Sequence, residues 1–224
     1  MDASPRSVVS AAAWEQARQE LLVREKELTR AADALAAARR RMPVQQLSDH
    51  VLEGVDGPVR LVDVFEGRSQ LIAYKFMWHD PEHPCEGCSM FVDQLGHPAH
   101  LEARDVTRVV ISSGPLAETL RYRERMGWTV PFLSAAGSDL YLELGHGDGF
   151  ALDVFLRDGD DVYRTYTVDG RGVEKLGSVW SFLDLTPFGR QETWEDSPAG
   201  TPQSDPYVWW RRHDEYGTPH APWR

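Results

Sequence analysis

With 224 residues, 42% of them hydrophobic and 26% charged, the chain is long enough to bury one sizeable core with appendages, and its make-up is that of an ordinary globular protein. A formal net charge of −11 without any large Lys/Arg cluster argues against nucleic acid and anionic membrane surfaces as partners. The start, MDASPRSVVS, has no basic segment followed by an apolar run, and no stretch approaches the roughly 20 apolar residues of a bilayer span, so a soluble, cytoplasmic protein is expected.

Residues from about Trp14 to Met42 contain no Gly or Pro and carry Trp14, Leu21, Leu28, Leu35 and Met42 at a seven-residue spacing, which predicts one long helix ended by Pro43. Its second seam, Ala17, Arg24, Ala31 and Ala38, is small and polar. A helix laid on its own domain fits that pattern better than a dimer arm, although homodimer pairing through this helix stays open. Asp56-Gly57 and Glu66-Gly67 punctuate two short strands or a strand and a helical turn. LIAYKFMW, residues 71 to 78, reads as a buried central strand. A helix from Cys88 to about Ala103 should be kinked or divided at Gly96 and Pro98. VTRVVIS is a second buried strand, PLAETLRYRERMGW a helix opened by Pro115 and closed near Gly127, and VPFLSA a short strand. ALDVFLRDGDDVYRTYTV alternates around Asp158-Gly159-Asp160 as a hairpin, and GVEKLGSVWSFLDL closes the domain as a helix. From Thr186 onward the chain is rich in Pro, Gly and aromatics. An irregular tail packed by Trp194, Tyr207, Trp209 and Trp210 is expected. The organisation is then a helical extension over 1–45, a domain over 46–185 and a tail over 186–224.

Strand, helix, strand, helix, then an antiparallel hairpin and a helix is the order of an α/β thioredoxin-like fold, a central mixed sheet flanked by helices. Both cysteines of the chain, Cys85 and Cys88, stand as a CxxC between the first core strand and its helix. Closing so small a loop would contribute only about 2 kcal/mol, so stapling is a weak reason for the pair. At a first helical turn, unpaired N–H groups and the helix dipole stabilise a thiolate. That makes Cys85 the candidate attacking thiol and Cys88, one turn on, the resolving thiol, with no cofactor required. Glu86, between them, opposes the thiolate and points to a moderate nucleophile and a fairly reducing couple. Partners would be protein or small-molecule disulfides and thiols. A second reading is a non-enzymatic thioredoxin-like binding protein holding zinc through His79, His83, Cys85 and Cys88, a ligand set suited to tetrahedral zinc but spaced unlike a finger. A weaker one is a peroxidase: Pro81, Cys85 and Cys88 have the offsets of PxxxTxxC, with Cys85 in the place of the Thr. The bland alternative is a pair of small hydrophobes at a helix start.

The segments REKELTRAADALAAARRRMP, LVDVFEGRSQLIAYKFMW, CEGCSMFVDQL, RERMGWTVPFLSAAGSD, VFLRDGDDVYRTYTVDGRG, FLDLTPFGR and WRRHDEYG resemble the DUF899 family, thioredoxin-like proteins labelled dithiol-disulfide oxidoreductases. The resemblance implies a thioredoxin-like fold with Cys85 and Cys88 as the redox pair. Two positions depart from pattern. Lys75 stands where the family often has His, so no imidazole role carries over. DGFALDVF lacks the proline that thioredoxins place before the hairpin, so Phe150 or a neighbour occupies that place. The cluster Arg211, Arg212, His213, Asp214 and Glu215 reads as an ion-pair pin for the tail.

Overall fold

The structure, a computed structural model, describes residues 7–217. Contacts divide it into two units, one of residues up to Pro43 with Asp196–Pro202, the other of Val44–Glu195 with the residues from Gln203 onward. In the first, α1 spans Ala11–Arg39. It begins three residues earlier than the heptad pattern suggests because the Ser10 hydroxyl accepts the Ala13 N–H at 3.2 Å, a side-chain cap that extends the helix to Ser10. No residue of α1 is buried, and Leu28 is 72% exposed, so the apolar seam stays on the surface.

The second unit is built on one eight-stranded sheet. Its strands are β1 (Gln45–Gln46), β2 (Val51–Gly54), β3 (Gly57–Arg60), β4 (Gln70–Phe76), β5 (Val106–Ser112), β6 (Phe132–Ser134), β7 (Ala151–Asp158) and β8 (Asp161–Val168), in the order β1-β8-β7-β4-β5-β6-β2-β3. β4, β5 and β6 are parallel, while β7 runs antiparallel to β4 and β8 to β7. The four strands β8-β7-β4-β5, two parallel and two forming a hairpin, give the thioredoxin-like arrangement the element order predicted. The hairpin turns on Gly159 at φ +60°, where a residue without Cβ is at ease.

The helices are α2 (Glu86–Asp93), α3 (Ala99–Glu102), α4 (Leu116–Arg125), α5 (Leu140–Glu143), α6 (Arg171–Glu174) and α7 (Ser178–Leu183). The helix expected to run to Ala103 is divided into α2 and α3 around Gly96 and Pro98. The closing helix is also divided, at Gly177, which the sequence reading did not foresee. A Cβ there would sit 2.2 Å from the Trp180 ring, and the Val179 N–H is taken by Gln94 Oε1 at 2.6 Å. Close packing of one indole overrides a continuous helix.

Side chains alternate across the sheet, so Leu71, Ala73, Val109, Ile111 and Phe155 enter one core and Tyr74, Phe76, Val110, Phe132 and Leu152 the other. The first is mainly aliphatic and is completed by Leu61, Val64, Phe65 and Leu140. The second holds Phe91, Tyr122 and Trp180 with Trp128, Trp209 and Trp210 packed against it, and it carries Cys88.

Candidate active site

β4 ends at Phe76, and the turn that follows delivers Cys85 to the N-cap of α2, the position its place in the sequence predicted. Its extended backbone (φ −57°, ψ 117°) lets the sulfur accept the Cys88 N–H at 3.2 Å. The Cys85 pKa is lowered, first by the Cys88 thiol donating to its sulfur, then, against the opposing effect of burial, by the N–H groups of Cys88 and Gly87. Glu86, in the first turn, works in the other direction, with the smallest influence of these. Cys88 lies wholly inside the second core, where burial and the neighbouring Cys85 push its thiol well above the ordinary range. Both thiols are free.

Tyr74 is the residue that reading the CxxC alone missed. Two positions before the end of β4, it points to the same face as Phe76, into the core that holds Cys88, and its hydroxyl acts against burial to lower the Cys88 pKa. Period-two alternation along YKFMW would have found it. Burial, and then the nearby Cys88, hold the Tyr74 hydroxyl well above its usual pKa, so it remains a donor. The helix is anchored by Ser89, whose hydroxyl donates to the Cys85 carbonyl at 2.7 Å and is 2.7 Å from the Tyr122 hydroxyl. Lys75, the adjacent residue of β4, faces away into the aliphatic side, where its ammonium bonds the Gly147 carbonyl and sits 4.7 Å from the Tyr141 ring. Burial lowers its pKa.

The C-terminal segment reaches the site as well as pinning the tail. The Trp210 ring lies on Gly87, so close that a Cβ at residue 87 would be 2.8 Å away. The Arg212 guanidinium donates to the Pro84 carbonyl at 2.9 Å, one residue before Cys85. His213 and the Trp128 indole both reach Asp93 at 2.7 Å, and Arg125 pairs with Asp214 at 2.8 Å. Behind this segment, the buried Glu192 carboxylate accepts the Trp194 indole at 2.6 Å, the Trp209 indole at 2.7 Å and the Tyr207 N–H at 2.9 Å. Burial tends to raise its pKa, but these donors hold it below the usual carboxylate range. Trp209 and Trp210 pack as expected of the tail, and Trp194, under the Arg171 guanidinium, and Tyr207, 4.6 Å from the Trp210 ring, pack with a larger share of their surface exposed.

The alternative ligand set is not assembled. His83 is exposed and bound to Asp80 at 3.0 Å, His79 is exposed, and among the described residues no three or more His, Cys, Asp or Glu side chains are grouped to hold a metal ion. Geometry overrides ligand type here: the thiols face inward from the helix, while the imidazoles stand on the turn before it.

A cavity of about 230 Å³ opens beside this turn, with Tyr74, Gly87, Phe91, Phe150, Trp180 and Trp210 in its wall. Phe150, immediately before β7, thus stands next to Tyr74, at 6.4 Å between ring centroids.

The chain matches the family described as "Bacterial protein of unknown function (DUF899)" over residues 3–216. No match is found among curated proteins. Solved structures similar to it include a candidate thiol:disulfide interchange protein DsbE from Chlorobium tepidum (14% identity, 60% of this chain and 92% of that one, TM-score 0.44). Another is peroxidoxin BcpB from Mycobacterium tuberculosis (19% identity, 56% and 84%, TM-score 0.42). A third is an uncharacterised conserved protein from Geobacillus kaustophilus (20% identity, 55% and 69%, TM-score 0.39).

Proposed function

The chain belongs to the DUF899 family, and from that premise we propose that it is a thiol-disulfide oxidoreductase working through Cys85 and Cys88. The observation that carries the reading is the contrast between two thiols one turn apart: Cys85 capping a helix and accepting N–H groups, Cys88 buried and protonated beside it. The Cys85 thiolate attacks one sulfur of a disulfide RSSR′, forming a Cys85–SR bond as the S–S bond breaks and R′S⁻ leaves with the electron pair. Cys88 then loses its proton, attacks the Cys85 sulfur and expels RS⁻. The disulfide is reduced to two thiols and the CxxC is oxidised to its own disulfide. The Tyr74 hydroxyl, which acts against burial to lower the Cys88 pKa, stabilises the thiolate that the second step needs.

Single-cysteine variants test this. Cys88→Ser should react with a small disulfide at neutral pH and accumulate the mixed disulfide, whereas Cys85→Ser should leave a thiol that alkylates only slowly below alkaline pH. Equal alkylation rates for the two variants at pH 7 would overturn the assignment of roles.

A further inference from the structure

We propose that the aromatic cavity beside the CxxC binds the body of the substrate, and that this substrate is a small, neutral disulfide carrying one aromatic ring; the inference rests on the redox reading above. The lining decides the chemistry. Six rings line it: Tyr74, Phe91, Phe150 and Trp180, with Tyr207 and Trp210 of the C-terminal segment. Rings of this kind favour an apolar, flat partner through offset and edge contacts. The two charged residues in the wall are already committed. Glu174 is buried and paired with both Arg171 and Arg190, and Arg171 stacks on the Trp194 ring at 3.8 Å, so the carboxylate is not left to receive a cationic ligand and the guanidinium already has partners.

Size narrows the class further. An apolar cavity of roughly 150 Å³ suffices for a benzene ring. The 230 Å³ here therefore takes one ring with a short arm. The arm has a direction to follow, because the wall holds Gly87, the residue between Glu86 and Cys88, and Tyr74, which shares its core with Cys88. The backbone next to Cys85 is meanwhile occupied: the Pro84 carbonyl is taken by Arg212, and Gly87 is covered by Trp210. A protein substrate laid along this turn would have to displace both. A ring-bearing small molecule need displace neither. In the exchange the ring half stays in the cavity as the Cys85 mixed disulfide, the other half leaves as its thiolate, and Cys88 then releases the ring-bearing thiolate.

The experiment uses the full-length protein with two alkyl disulfides of matched leaving groups, bis(2-hydroxyethyl) disulfide and 2-phenylethyl 2-hydroxyethyl disulfide. Each rate constant is divided by that of free N-acetylcysteine with the same disulfide. Burial of a phenyl ring should favour the second by about tenfold or more, with a rate that saturates in its concentration. Val173→Phe, which fills the cavity, should bring that ratio close to one. Should this buried substitution prevent folding, Tyr207→Gly provides the second variant. Tyr207 sits on the surface at φ +69°, where glycine relieves the backbone while removing one wall, and the ratio should fall severalfold. A wild-type ratio near one with exchange of both disulfides overturns the inference and leaves the redox reading standing. A ratio that survives in the folded variants also overturns it. No exchange with either disulfide overturns the redox reading, and the inference with it.

Discussion

The two faces of the sheet are made from the same strands and do different work. On one, Leu61, Val64, Leu71, Ile111 and Leu140 interlock around Phe65 as branched side chains do, each of the six less than 6% exposed. On the other, Tyr74, Phe91, Tyr122, Trp180 and Trp210 pack as rigid plates with hydroxyl and indole handles. Tyr74 meets Phe91 at 4.4 Å between centroids, and Trp180 meets Trp210 edge-on at 5.7 Å. Plates tile less completely than branched chains, which leaves room for the cavity, and their polar handles reach the thiol and the anchoring serine. The comparison teaches that one face is filled by branched side chains, while the other carries the cysteine pair and keeps a cavity beside it.

Four measurements would break or sharpen that division. The largest effect is expected on the aliphatic face: Phe65→Ala should lower stability by roughly 3–5 kcal/mol in chemical denaturation. The Cys85 alkylation profile should not change. A loss below about 1 kcal/mol, or a moved thiol profile, would mean that the faces are not separate in role.

Next in size, Tyr74→Phe removes the donor to the Cys88 thiolate. A hydrogen bond to a charged group contributes about 1.5–3 kcal/mol, so release of the second thiol from a preformed Cys85 mixed disulfide should slow roughly 10- to 100-fold. Formation of the mixed disulfide should be nearly unaffected. An unchanged second step would remove Tyr74 from the site.

Glu192→Gln tests whether the aromatic face depends on its tail. The native carboxyl has a lowered pKa, so its contribution is fully present above the unfolded value of about 4.3 and is lost as pH falls through the folded value. Wild type should therefore show an acid-induced change in tryptophan fluorescence below about pH 4. The variant should be destabilised by about 1–3 kcal/mol at neutral pH and should lack that transition. An identical acid titration in both proteins would show that the tail is held by ring packing alone.

The smallest effect belongs to Glu86→Gln. Removing the neighbouring charge should shift the Cys85 alkylation profile to lower pH by a fraction of a unit, and the shift should shrink in high salt. A profile moving to higher pH would contradict the electrostatic account of the CxxC.

By itself the sequence determined the periodic and locally coded features. The 3.6-residue pattern of α1, the period-two runs of β7 and β8, the turn at Gly159 and the helix start at Cys85 all follow from neighbours within a few residues, where backbone preference and capping act. The place of Cys85 at a helix N-cap and of Cys88 one turn on was legible for the same reason: a helix start is set by local sequence. The break at Gly177 was not legible, because it answers to the Trp180 ring and to Gln94, 83 residues earlier in the chain. Nor was the separation of His79 and His83 from the thiols, since ligand type says nothing of which way a turn faces. Tyr74 against Cys88, Arg212 on Pro84, Trp210 on Gly87 and the three donors gathered by Glu192 join segments up to 128 residues apart. Contacts at that range are chosen by how rings and carboxylates find room and partners once the sheet has formed. The tertiary structure therefore decided how the CxxC is covered and what space is left beside it.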